Sequence, residues 1–276
     1  MNTRTRNRLA SQFIPVFFII ALHIISLSNV AAANVSVASV QNAAAKAGAA
    51  PSDVVREFYK AMREKRFREA FGMSIYRPAI EGLSAEEYEE LRPDFENLAR
   101  DIPEKIDING EQISGETATV FMRVADAKSG EAQTEPVTLV RDGSAWIVGD
   151  RANQELVKKQ GKQFFMEARI AAHHSEVQAE LQQIAKAQFV YHSKNEGVYA
   201  DLATLASEGL VAQETARGQA LGYQFQLMLG KENRSYAVRA EPLRYGRTGR
   251  LSFFMDAGGI ASKDTGGKPL KVSSVK

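Results

Sequence analysis

Three histidines lie beyond the first 33 residues: His173, His174 and His192. Histidine binds transition metals and moves protons near neutral pH, so these are the first residues to test for chemistry. His174 and His192 are 18 residues apart, five turns along one helical face and roughly 27 Å along a continuous helix. The adjacent His173 and His174 point about 100° apart. They cannot share a metal within one helix, so they read as surface or boundary histidines. No Gly-x-Ser-x-Gly, P-loop or dinucleotide fingerprint occurs in a strand-to-helix context, and there is no cysteine to supply a thiol nucleophile. The Gly-rich run Ala257-Gly258-Gly259-Ile260 follows a strand with no helix after it and reads as a turn. No catalytic, cofactor-binding or metal-ligating residue is assigned on these grounds, and the chain is expected not to be an enzyme.

Two charge patterns could serve binding instead. Arg234, Arg239, Arg244, Arg247 and Arg250 are interleaved with Tyr236 and Tyr245, a composition suited to an anionic partner such as an envelope polymer, a lipid headgroup or nucleic acid. Strand alternation puts only some of them on one face, and charge that guards a solvated sheet edge is the commoner use of such residues. Earlier in the chain, Arg56, Lys60, Arg63, Lys65, Arg66 and Arg68 form a basic stretch, answered by the acidic Glu86, Glu87, Glu89, Glu90, Asp94 and Glu96. Packing of the two inside one domain accounts for the pattern, each surface pair contributing little. Self-association between copies is the alternative.

Periodicity gives the elements that must position these residues. Ser52 and Asp53 are good helix caps, and Val54, Val55, Phe58, Tyr59, Met62, Phe67, Ala70 and Phe71 follow at helical spacing, which predicts one amphipathic helix. Ser84-Ala85-Glu86-Glu87 matches a capping box, with a break or new turn expected at Pro93. From Lys105 the period becomes two, with turns at Ser114-Gly115, Ser129-Gly130 and Asp142-Gly143, predicting an antiparallel meander of about four strands. Residues 52–151 therefore read as an α+β domain. Helix resumes near Asn153, with a weak point at Gly161, and runs to about His192 along the stripe Ile170, Val177, Leu181, Ile184 and Tyr191. Strand-like runs Tyr223 to Leu229, Ser235 to Ala240 and Leu251 to Asp256 follow a small helix over Ala200 to Ala206. Residues 152–262 thus read as a long helix packed on a small antiparallel sheet, and 263–276 as a mobile tail.

The ends carry the address. Arg4, Arg6 and Arg8, the apolar run Phe13 to Leu27 and the small residues Val30-Ala31-Ala32-Ala33 have the three parts of a secretory signal. Cleavage after Ala33 gives a periplasmic or secreted protein of the bacterial cell envelope. An uncleaved anchor is the competing reading, since Phe13 to Ala33 is about the length of a membrane span, and membrane association is expected only in that case. Residues 34–51, rich in Ala, Ser, Asn and Gly, read as a flexible linker. Formal charge is +2 for the whole chain. Without residues 1–33 it becomes −1, with 32 basic against 33 acidic residues, so the basic pI is no argument for nucleic acid and none is expected. Without cysteine, an exported chain must rely on ordinary cores rather than disulfides.

Over roughly 52–150 the sequence resembles the NTF2-like family of bacterial exported proteins, especially the lumazine-binding or DUF4878-type modules. The resemblance rests on Val54-Val55-Arg56-Glu57-Phe58-Tyr59-Lys60-Ala61, the continuation to Phe71, and the closing Val137 to Asp142 and Gly143 to Val148. It implies a cone in which a curved antiparallel sheet wraps a long helix, leaving a pocket that some relatives use for ligands or isomerase-type chemistry. Tyr59, Tyr76 and Asp107 are then the polar candidates for a pocket wall. Over roughly 166–260 the sequence resembles the heads of type IV pilins and type II secretion pseudopilins, through Leu181 to Gln188, Gly197 to Leu202, Gly222 to Phe225, Tyr236 to Pro242 and Gly246 to Asp256. A pilin has an apolar helix directly before its head, whereas Lys158 to Met166 here is polar; the resemblance therefore implies a head used for docking. Some pseudopilins hold calcium in a C-terminal loop, which makes Asp256 and Asp264 candidates, although calcium needs about six to eight oxygens. Together these imply a non-enzymatic envelope protein acting through an envelope protein partner or a bound ligand, beside a pilus or secretion apparatus. A small-ligand-binding or isomerase-type cone is the alternative, and no cofactor is expected.

Overall fold

Proline lacks a backbone N–H, and the first turn of a helix is where none is needed. In the computed structural model, which describes residues 48–100, 102–104, 106–125 and 132–270, Pro51 accordingly opens helix α1 (Pro51–Arg63). The N-cap is Ala50, without a side-chain bond, so Ser52 and Asp53 lie inside the first turn rather than capping it. The signal (1–33), most of the linker and the Ser129-Gly130 turn lie outside the described residues. The single amphipathic helix predicted from Val54 to Phe71 is two: α2 (Phe67–Gly72) follows a break at Lys65, whose φ of 59° is left-handed. Arg66 holds that corner by pairing with Glu57, Glu64 and Glu69.

After a short α3 (Arg77–Glu81), the predicted capping box starts α4 (Ala85–Ala99): Glu87 N donates to Ser84 Oγ at 3.1 Å, and Ser84 N to Glu87 Oε2 at 2.9 Å. Pro93 does not end this helix. It lies on the exposed side, while Leu91 and Phe95, each 1% exposed, anchor the turns on either side of it; their burial offsets the hydrogen bond that proline removes.

Four antiparallel strands follow in the order β1 (Asp107–Ser114), β2 (Thr117–Ala125), β3 (Ala132–Asp142) and β4 (Ala145–Val148). One face carries Ala118, Val120, Met122, Val137, Leu139 and Trp146 against Val54, Val55 and Tyr59 of α1. The chain leaves β4 through Gly149 into α5 (Arg151–Gln160), turns at Gly161 (φ 53°) and enters α6 (Phe164–Lys194). Phe165 stacks at 5.0 Å on both Phe71 and Phe95. The chain divides into two units between Phe165 and Met166, later than the boundary expected at 151. The reason is packing: Val157 is fully buried, and Phe164 and Phe165 complete the first unit's aromatic cluster.

In the second unit α6 lays Val177, Leu181 and Ile184 on a five-stranded antiparallel sheet, ordered β5 (Gln219–Ala220), β6 (Tyr223–Leu229), β7 (Tyr236–Pro242), β8 (Leu251–Asp256) and β9 (Gly259–Asp264). Tyr223, Phe225, Val238, Ala240, Phe253 and Met255 form the facing layer. Two short helices, α7 (Leu202–Ser207) and α8 (Gln213–Ala216), cover its side. Of the mobile tail expected over 263–276, Lys263 and Asp264 belong instead to β9 and Ser252 Oγ donates to Lys268 O at 2.8 Å, while residues 271–276 lie outside the described residues. Gln188 is fully buried and satisfied by one residue, donating to Ala200 O and accepting from Ala200 N at 3.0 Å. Among the described residues no helix is long and apolar enough to cross a membrane.

Phe165→Ala is expected to cost the first unit about 3–5 kcal/mol, read as a shift in the denaturation of Trp146 fluorescence. Gln188→Leu, which strands a buried N–H and C=O at Ala200, is expected to cost about 1–3 kcal/mol. Denaturant midpoints within error of wild type would show that these contacts do not hold the units.

Candidate ligand cavity

The first unit holds a partly open cavity of about 130 Å³ between α1, the Met73–Tyr76 segment, the end of α4 and the β3–β4 end of the sheet. Its wall is mostly apolar: Phe58, Met62, Ile75, Leu98, Ile102 and Val137. The junction of β4 with the helices aims the polar groups. Ile75 N donates to Val148 O at 2.9 Å, Val148 N to Met73 O at 3.0 Å, and Gly149 N to Thr138 O at 2.8 Å. Gly149 is at φ 127°, and a Cβ there would lie 2.6 Å from Ile75 Cγ1, so only glycine fits. Asp150 then caps α5, accepting from Asn153 N at 2.9 Å and Asn153 Nδ2 at 2.6 Å.

Four elements thus bring Tyr59, Tyr76, Thr138, Asp150 and Asn153 into the lining of one cavity. Burial, with a contribution from the charge of Asp150, pushes the Tyr76 phenol up to about 12. Burial and then Glu135 raise that of Tyr59 further. Both stay protonated at neutral pH and can donate to a ligand.

Of the three pocket candidates in the sequence, Tyr59 and Tyr76 line this cavity and Asp107 does not. Asp107 is exposed at the start of the edge strand β1, opposite Arg123. Asp150 and Asn153 were missed. Their sequence signal is a helix cap, Asp three residues before Asn at the start of a helical stretch, which says nothing about a cavity.

The remaining candidates are dispersed. His173 Nδ1 donates to Thr248 O at 2.8 Å, His174 Nε2 accepts from Arg250 N at 3.0 Å and Leu251 N at 3.2 Å, and His192 stacks on Tyr199 with centroids 4.7 Å apart. Asp256 sits at the β8–β9 turn, accepting from Gly258 N, while Asp264 pairs with Leu251 at the far end of that hairpin. Five residue steps of strand, roughly 17 Å, keep these two carboxylates from sharing a calcium ion. Of the five arginines, Arg250 forms a forked pair with Glu167 (2.6 Å on each arm), Arg234 donates to Glu196 O and Gly197 O, and Arg239 stands two residues from Glu241 on β7. Arg244 and Arg247 lie in the β7–β8 connection. In the first unit the basic stretch meets the acidic one through Lys65–Glu96 at 3.3 Å and through Arg68 over the Tyr88 ring at 4.4 Å; Arg63 instead donates to Pro103 O.

The two N–H groups aimed at His174 Nε2 leave no room for a proton on that atom. Burial, then the charges of His173 and Arg250, lower its pKa from the usual value, with Asp264 opposing. A depressed histidine is neutral in the fold and protonates first in the unfolded chain, so stability falls as pH drops below about 6.5. Glu167 and Asp264, lowered by hydrogen bonds from Arg250 and from Gly266 N respectively, lose their contribution only at more acid pH. Urea midpoints measured between pH 7.5 and 5.5 should therefore fall for wild type and flatten in His174→Gln. Parallel curves for the two proteins would rule out this role.

No protein-family model matches the sequence, and no curated protein matches it significantly. An NTF2-like transpeptidase from Campylobacter jejuni is similar as a solved structure, at 16% identity over 37% of this chain and 100% of that chain, with a TM-score of 0.27. At that score the superposition is too loose to decide the fold.

Proposed function

We propose that this chain is an exported binding protein of the cell envelope, not an enzyme, and that its first unit, an NTF2-like cone, holds a small, mainly apolar ligand. The cavity carries the reading: an apolar chamber with a polar end, the usual make-up of a small-molecule site. Its ionisable groups suit binding better than proton transfer. The Tyr76 phenol, up to about 12, is a poor base at neutral pH, and both Asp150 oxygens already accept from Asn153. General base catalysis works best with a group poised near the operating pH.

The second unit is read as a docking module for an envelope protein, beside a pilus or secretion apparatus. A long helix laid on an antiparallel sheet, in the order that a pilin-type head implies, supports this. Export rests on residues 1–33, and cleavage after Ala33 is the expected processing.

Native mass spectrometry of the chain purified from an envelope fraction should show a small-molecule adduct, lost in Leu98→Trp, which fills the chamber. The mature N-terminus should be Asn34. An adduct that survives in Leu98→Trp would move the site elsewhere, and a wild-type protein that takes up no small molecule even from a hydrophobic fragment library would overturn the binding reading. Retention of residues 1–33 would convert the free envelope protein into an anchored one.

A further inference from the structure

The charge at the polar end of the cavity narrows what enters it. We propose that the ligand is an amine: a single ring or short branched chain in the apolar chamber, with a primary ammonium head against Asp150 and Tyr76. This rests on the binding reading above.

Size comes from volume. An apolar cavity of about 150 Å³ accepts benzene, and this one, at about 130 Å³, takes a group of that order. The head comes from the lining, in which, among the described residues, Asp150 is the one carboxylate and no lysine, arginine or histidine takes part. Nearby cations are already engaged. Arg77, next to Tyr76, pairs with Asp142 at 2.6 Å, and Arg151, next to Asp150, donates to Gln154 Oε1 at 3.2 Å. The start of α5, which would otherwise attract an anion, is closed by Asp150 itself through the bond from Asn153 N. A further negative charge, Glu135, acts on the Tyr59 hydroxyl. A carboxylate or phosphate head would meet two like charges and no cation. An ammonium head has three N–H donors, and it would meet the Asp150 carboxylate and the Tyr76 phenol oxygen beside it. Each carboxylate oxygen of Asp150 accepts one bond within α5, and an oxygen of this kind can accept another.

The test uses isosteric probes on the full chain: benzylamine, benzyl alcohol and benzoate, titrated by protein-observed NMR. Asp150→Asn is the decisive variant, because asparagine caps a helix as well as aspartate does, so the fold is retained and only the charge is removed. The expected order in wild type is amine, then alcohol, then carboxylate, with about a tenfold step from alcohol to amine for a charge-assisted bond. Asp150→Asn should weaken the amine most and the alcohol less, so that the amine preference disappears. Tyr76→Phe should weaken the amine and the alcohol alike. Benzoate binding as tightly as benzylamine, or an amine preference that survives Asp150→Asn, would overturn the amine assignment while leaving the cavity as a binding site. Failure of all three probes to shift cavity resonances at millimolar concentration would remove the binding reading and this assignment with it.

Discussion

The geometry of the first unit depends on how the chain leaves its last strand. Val148 exchanges hydrogen bonds with Met73 and Ile75, so a stretch between two short helices is fixed against the sheet edge. Gly149 follows with a left-handed φ and with Ile75 packed where a side chain would be. That conformation turns the chain so that Asp150 can cap the next helix. Ile75, Tyr76, Thr138, Asp150 and Asn153 owe their places at the cavity to this one corner. A β-carbon at Gly149 would push Ile75 away and open the edge, so the corner sets both fold and site.

A comparable economy operates in the second unit, where three polar side chains packed into the fold are satisfied by backbone. Gln188 is bound to both polar groups of Ala200, Tyr223 donates to Leu251 O, and His174 accepts from two consecutive amides. A buried side-chain amide or imidazole costs little only when its partners are fixed, and backbone groups of a strand or loop are fixed already. The consequence is register. Gln188 ties one turn of α6 to the loop before α7, and His174 ties another to the start of β8. Apolar packing alone would let the helix slide by a turn.

Much of this architecture was legible because it rests on local signals. The change of period at Lys105 located the first sheet, Ser84 and Glu87 located the capping box, and Gly161 marked the break before α6. What escaped was decided by distant contacts. Lys65 breaks the first helix because Arg66 finds three carboxylates and Phe67 joins an aromatic cluster completed nearly a hundred residues later by Phe165. Pro93 stays helical because Leu91 and Phe95 are held from outside the helix. The edge strand β9, short and polar, has almost no pattern of its own, and β8 supplies its pairing. Of the cavity, the two tyrosines were legible as polar groups within apolar runs, whereas Asp150 and Asn153 presented themselves as an ordinary helix start.

The cavity also carries an energetic argument. Apolar wall left in contact with water forgoes burial worth about 25 cal/mol per Å², and most of this chamber's wall is apolar. The residues around it could reduce that cost. Leu98 and Ile102 at one end and Thr138 at the other are positions where a larger side chain would fill the space. A core selected only for stability would close the chamber. Two tyrosines and a carboxylate in an otherwise apolar wall are the arrangement that the proposed ligand would cover.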